Sequence, residues 1–118
     1  MNLENLEKIL STKTGAKKEF PFGKEAMVFK VMNKMFALVA WQERPIRITL
    51  KLLPEDAVGY RDLYACVKPG YYMNKKHWNT ITLDGTMPDD MLANMIDESY
   101  RLVVSKLTKK EKEQLKGL

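Results

Sequence analysis

The sequence predicts an α+β fold of two layers: an antiparallel sheet with the N- and C-terminal helices packed on one face. Three observations carry this. Strand-like segments cluster in the first half of the chain. Segments with helical periodicity flank them on both sides. One strand alternates so cleanly that it has to have a buried face and an open one.

Leu3, Leu6, Ile9 and Leu10 recur at helical spacing, so residues 2–13 read as an amphipathic helix closed by Gly15. A loop containing "EFPFG" follows, with Phe20 and Phe22 expected to anchor it on the core. "AMVFKVM" (26–32) and "MFALVAW" (35–41) are rich in β-branched and aromatic residues, and Asn33-Lys34 between them suits a two-residue hairpin turn. In "RPIRITLKL", Ile46, Ile48, Leu50 and Leu52 point one way. Arg47, Thr49 and Lys51 point the other, giving a basic, hydroxyl-bearing face.

Pro54, followed by Glu55 and Asp56, opens a short helix running to about Tyr64. "VKPGYYMNKKH" reads as a long turn, and "WNTITL" as a strand closed by Asp84-Gly85. Pro88, Asp89 and Asp90 start the longest helix, whose apolar stripe is Met91, Leu92, Met95, Ile96, Val103 and Leu107. Thr108 and Glu111 match a capping box for a last, charged helix.

The 118 residues suit a single domain spanning 1–118. The charge of +5 favours anionic partners without identifying one. No run approaches a membrane-spanning length, and "MNLENLEKIL" does not resemble a secretory leader, so a cytoplasmic location is expected, with no membrane partner. A monomer is the simplest reading. One cysteine excludes an internal disulfide, and Cys66 with His77 cannot build a structural zinc site, so no metal and no cofactor is expected. Phosphate-binding glycine loops, a nucleophile elbow and zinc-protease motifs are all missing. The carboxylate pairs Glu55-Asp56 and Asp89-Asp90 sit at helix starts, and Asp97-Glu98 is assigned to a solvated helix face. No catalytic constellation emerges, and a non-enzymatic role is expected.

"GYYMNKKHWNTITL" (70–83) gathers two tyrosines, two lysines, the one histidine and a tryptophan. Lys75 and Lys76 at the turn tip suit either a solvated loop or phosphate contacts. His77 reads as a residue whose ring pins the loop through a hydrogen bond, and Trp78 as core with an exposed edge. One of Tyr71 and Tyr72 should pack inward and leave the other for a ligand. Asn74 and Asn79 are expected to make turn and sheet-edge hydrogen bonds.

"PFG" at 21–23, "FKVMNKMFAL" at 29–38, "PGYYMNKKHWNTITLDG" at 69–85 and "PDDMLANMIDESYRLVVSKL" from Pro88 resemble the MmcQ/YjbR family, a bacterial family of uncharacterised proteins. The hairpin turn departs from it, with Asn33-Lys34 where many relatives carry glycine. The resemblance implies a two-layer fold similar to that of frataxin (CyaY-like). It also implies DNA binding through a double wing of sheet and loop, carried onto Lys75, Lys76, His77 and Trp78. Arg47, Lys51 and Tyr72 join this candidate set from their own positions on the open face and the tyrosine loop. Weak, largely non-specific binding of double-stranded DNA is thus one expectation. A protein- or small-ligand-binding module using the aromatic loop and free sheet face is the alternative. Iron is not expected despite the frataxin likeness, since the first helix offers only Glu4 and Glu7, followed by Lys8.

Overall fold

A computed structural model describes residues 1–70 and 73–118. Among them are four helices: α1 (Leu3–Ser11), α2 (Pro54–Leu63), α3 (Asp89–Ser105) and α4 (Lys109–Lys116). Six strands accompany them: β1 (Ala16–Glu19), β2 (Met27–Val31), β3 (Lys34–Ala40), β4 (Arg47–Lys51), β5 (Val67–Pro69) and β6 (Trp78–Thr82). The strands form one antiparallel sheet in the order β1-β2-β3-β4-β6-β5. This is the two-layer α+β architecture that the patterning predicts. No described helix is long and apolar enough to cross a membrane.

Two short strands lie where the patterning predicts loop. β1 carries Lys17 and Lys18 at its centre, and β5 is three residues ending in Pro69, so neither has enough alternation to signal a strand. Both lie at sheet edges, where short strands limit edge-to-edge pairing. The hairpin turn also differs. Its turn residues are Met32 and Asn33, at φ 48° and 65°, with Lys34 already in β3. A tight hairpin wants both central residues left-handed, and the register places this pair there.

Gly15 does not end α1, whose C-cap is Thr12. It turns the chain into β1 at φ +75°, and a Cβ there would lie 2.7 Å from Leu115 of α4. Phe20 and Phe22 do not anchor their loop. They are exposed, Phe22 by 67%.

The core lies between sheet and helices, built from Leu6 and Leu10 of α1, Leu92, Met95, Ile96 and Val103 of α3, and Phe29, Val39, Ile48, Leu50 and Ile81 of the sheet. Cys66 is buried among them as a small apolar group. Ser99 interrupts this stripe, fully buried. Its hydroxyl donates to the Phe36 carbonyl at 2.6 Å and accepts from the Lys51 N–H at 2.9 Å. The pairing of β2 with β3 shifts between Phe29 and Lys30, and the β3–β4 ladder ends at Ala37–Leu50. Ser99 therefore replaces a ladder contact that the bulged strand no longer makes. Thr108 and Glu111 form the expected capping box on α4.

Candidate ligand cleft on the outer sheet face

Residues alternate along β4, and the register carries the alternation across the sheet. Arg47 stands opposite Thr82, Thr49 opposite Thr80 and Lys51 opposite Trp78. Arg47, Thr49, Thr80 and Thr82 belong to the face turned away from the helices, as expected from the alternation, while Lys51 and Trp78, at the strand ends, share a hollow with the end of α3. The polarity of that face is different from expectation. Thr49 is buried and shares a 2.8 Å hydroxyl–hydroxyl bond with Thr80. Together with Leu38 and Ala40 of β3, the threonine pair helps line a cleft of about 570 Å³. Its remaining walls include Phe22, Glu25 and Ala26 from the loop before β2, Gln42, Glu43 and Arg47 after β3, and Met73.

Arg47 is committed within this cleft. Its Nε and Nη2 donate to the two Glu43 carboxylate oxygens at 2.5 and 2.8 Å. The guanidinium holds the Glu43 carboxyl below the usual carboxylate range. Arg47 is thus not a bare positive charge on an open face.

The predicted basic set is divided among two hollows and the tip of a turn. Lys51 stands four residues beyond Arg47, roughly 13 Å along the strand. It lines a separate shallow pocket of about 360 Å³ with Trp78, Asn33, Lys34, Met35, Val103 and Lys106. Trp78 is half-buried there. Lys75 and Lys76 are exposed at the tip of the turn before β6 and line neither hollow. Tyr72, like Tyr71, lies outside the described residues. Lys34 and Lys106 were missed because one starts a strand and the other caps α3, far from Lys51 in sequence. Phe22, assigned to the core, is a cleft residue instead.

His77 holds its turn by main chain. Its carbonyl accepts from Leu52 N–H at 2.6 Å, and its N–H donates to the Asn74 carbonyl at 3.2 Å. Asn74 closes the tip, its side-chain oxygen accepting from Lys76 N–H. Among the described residues the His77 ring has no hydrogen-bond partner, which corrects the reading of that ring as the pin. His77→Ala is accordingly expected to change stability by less than about 0.5 kcal/mol, the usual limit for a side chain without a specific partner. A thermal melt checks this, and a fall of several degrees would contradict it.

The acidic residues of α3 are not simply solvated. Asp97 pairs with Lys13. Glu98 meets Asp56 of α2. Burial pushes its carboxyl up to about 7, a hydrogen bond and the like charge of Asp56 act in the same direction, and Arg101 opposes them. The same region raises Tyr60, through burial first and then Glu98 and Asp56. A carboxyl raised on folding keeps its proton longer in the folded chain. The associated stability is present below the unfolded value of 4.5 and is lost as pH rises toward 7. Glu98→Gln should therefore match the parent near pH 4 and exceed it near pH 8. The gain is about 1 kcal/mol after discounting for solvent screening, read from urea unfolding at both pH values. The acids of α1 are paired too, Glu4 with Lys8 at 3.6 Å and Glu7 with Lys18 at 3.1 Å.

A helix-backed antiparallel sheet whose outer face holds a lined cleft defines a small two-layer α+β domain. The chain belongs to the YjbR family, whose model matches residues 11–102. It is 31% identical to the uncharacterised protein YjbR of Escherichia coli strain K12 over 115 residues, 98% of each chain. It is 34% identical over 97 residues to the uncharacterised protein YbdF of Escherichia coli O157:H7, covering 82% of this chain and 80% of that one. The crystal structure of the Deinococcus radiodurans protein DR2400, a DUF419 domain, superposes with a TM-score of 0.90 at 38% identity, over 97% of this chain and 87% of that one. A Pseudomonas syringae protein gives 0.75 at 27% identity, over 87% of this chain and 99% of the other.

Proposed function

We propose that the chain is a non-enzymatic, monomeric cytoplasmic binding module that takes a small organic molecule into its outer-face cleft. One observation carries this. A two-layer domain ordinarily gives its open sheet face to polar side chains. Here that face holds a hollow of about 570 Å³ lined by Leu38, Ala40, Ala26, Phe22 and Met73, with a few polar groups among them. That is the size and composition of a small-molecule site. The test is a fragment screen by saturation-transfer NMR, repeated on Ala40→Phe, which fills the floor from a strand position. Fragments that bind the parent and are lost with Ala40→Phe support the reading. No binders, or binders indifferent to the substitution, overturn it.

A second reading, weak non-specific binding to duplex DNA, is favoured by a separate observation. Lys34, Lys51 and Lys106 converge beside Trp78, and neither Lys51 nor Lys106 has a carboxylate partner among the described residues. Three phosphate contacts would give a log–log salt slope of about −3. Replacing Lys51 and Lys106 together by glutamine would bring it to about −1. Anisotropy titrations at several salt concentrations measure both slopes, and no binding at low salt removes this reading.

A further inference from the structure

The charges lining the outer-face cleft are unequal. Among the described residues its ionisable side chains are Glu25, Glu43 and Arg47. Glu43 and Arg47 neutralise each other through two charge-assisted hydrogen bonds. Glu25 is left over. It is exposed and has no cationic partner among the described residues. The loop that carries it turns at Gly23, whose φ of +106° favours glycine, and the Glu25 carboxylate lies beside that turn. In the same loop the Phe22 ring is 67% exposed on the cleft wall. A carboxylate and an aromatic face both attract a cation.

We infer that the cleft selects a small organic cation, a primary amine on an apolar body. This rests on the cleft reading above and adds the class of ligand. The ammonium sits against Glu25 and the Phe22 ring, and the apolar body covers Leu38, Ala40 and the methyl groups of Thr49 and Thr80. An anion is disfavoured, because Arg47, the one cationic side chain among the described lining residues, is already spanned by Glu43. A neutral analogue fills the same space without the charge attraction.

Three probes of closely similar size separate these cases: phenylpropylamine, phenylpropanol and phenylpropionate. Each is titrated into methyl-labelled protein while the Ala40, Thr49, Thr80 and Met73 methyl resonances are followed. The amine is expected to shift these signals and to bind roughly tenfold more tightly than the alcohol, with the carboxylate weakest. Glu25→Gln, an exposed loop substitution, should lower the amine to the level of the alcohol and leave the alcohol unchanged. Equal or tighter binding of the alcohol or the carboxylate overturns the cation assignment while the cleft stands. An amine preference that survives Glu25→Gln likewise overturns the role of Glu25. Silence from all three probes overturns the assignment and the cleft reading together.

Discussion

Ser99→Ala is expected to destabilise the chain by about 2–4 kcal/mol, because it leaves two buried backbone groups without partners at once. The hydroxyl spans the Phe36 carbonyl and the Lys51 N–H, on strands β3 and β4. Ser99 itself is fully buried. Alanine is too short to bridge, and the hollow it leaves is about the size of one oxygen atom. An orphaned donor and acceptor each cost about 1–3 kcal/mol. For a chain of this length the melting temperature should fall by about 10 °C. Urea unfolding would show a lower midpoint with an unchanged slope, since the surface exposed on unfolding hardly changes. The Lys51 amide should also lose protection against hydrogen exchange. A loss below about 0.5 kcal/mol would mean that water or a strand shift replaces the hydroxyl.

Ser99 also shows what sequence reading can reach. It stands three residues after Ile96 and four before Val103, so helical periodicity alone places it in the apolar stripe. A serine in such a stripe signals a buried hydrogen-bonding task, yet nothing local names its partners, which are 48 and 63 residues away. The long helices, the hairpin and the alternating strand were legible because each carries its own period. β1 and β5 were not, since a four-residue strand with two central lysines and a three-residue strand ending in proline have none.

The site was legible in the same uneven way. Alternation in "RITLK" correctly gave the open face to Arg47 and Thr49. Alternation says which side a residue takes, not what arrives from elsewhere to meet it. Glu43 neutralises Arg47 from the loop after β3, and Phe22 and Glu25 raise a wall from the loop before β2. A face that reads as basic in one strand thereby becomes an apolar cleft with a carboxylate on its rim. The cluster of Lys34, Lys51 and Lys106 was out of reach for the matching reason, being assembled from three separate elements.

Asn79→Ala is expected to cost about 2–3 kcal/mol, although the residue reads as an ordinary turn or edge asparagine in the sequence. It is fully buried on the helix side of β6. Its amide nitrogen donates to the Ala57 carbonyl at 3.0 Å, and its oxygen accepts from Arg61 Nη1 at 2.7 Å, so one side chain ties α2 to the sheet. Truncation removes both bonds and opens a void beneath the helix. Asn79→Asp separates the two contributions. The carboxylate keeps the Arg61 bond and strengthens it by charge, but it turns an acceptor toward the Ala57 carbonyl where the amide was a donor. Protonation makes it a donor again. The deficit of Asn79→Asp relative to the parent should therefore be largest near neutral pH and shrink as pH falls, whereas that of Asn79→Ala stays constant. Equilibrium unfolding of all three proteins across pH reads the difference directly. Parallel pH dependence of the two variants would show that the Ala57 bond contributes little and that Arg61 alone holds the helix. Thr80, the next residue, faces the cleft from the opposite side of the same strand. A loosened α2 attachment should thus also broaden the Thr80 methyl resonance, placing the helix layer and the outer-face cleft on one structural unit.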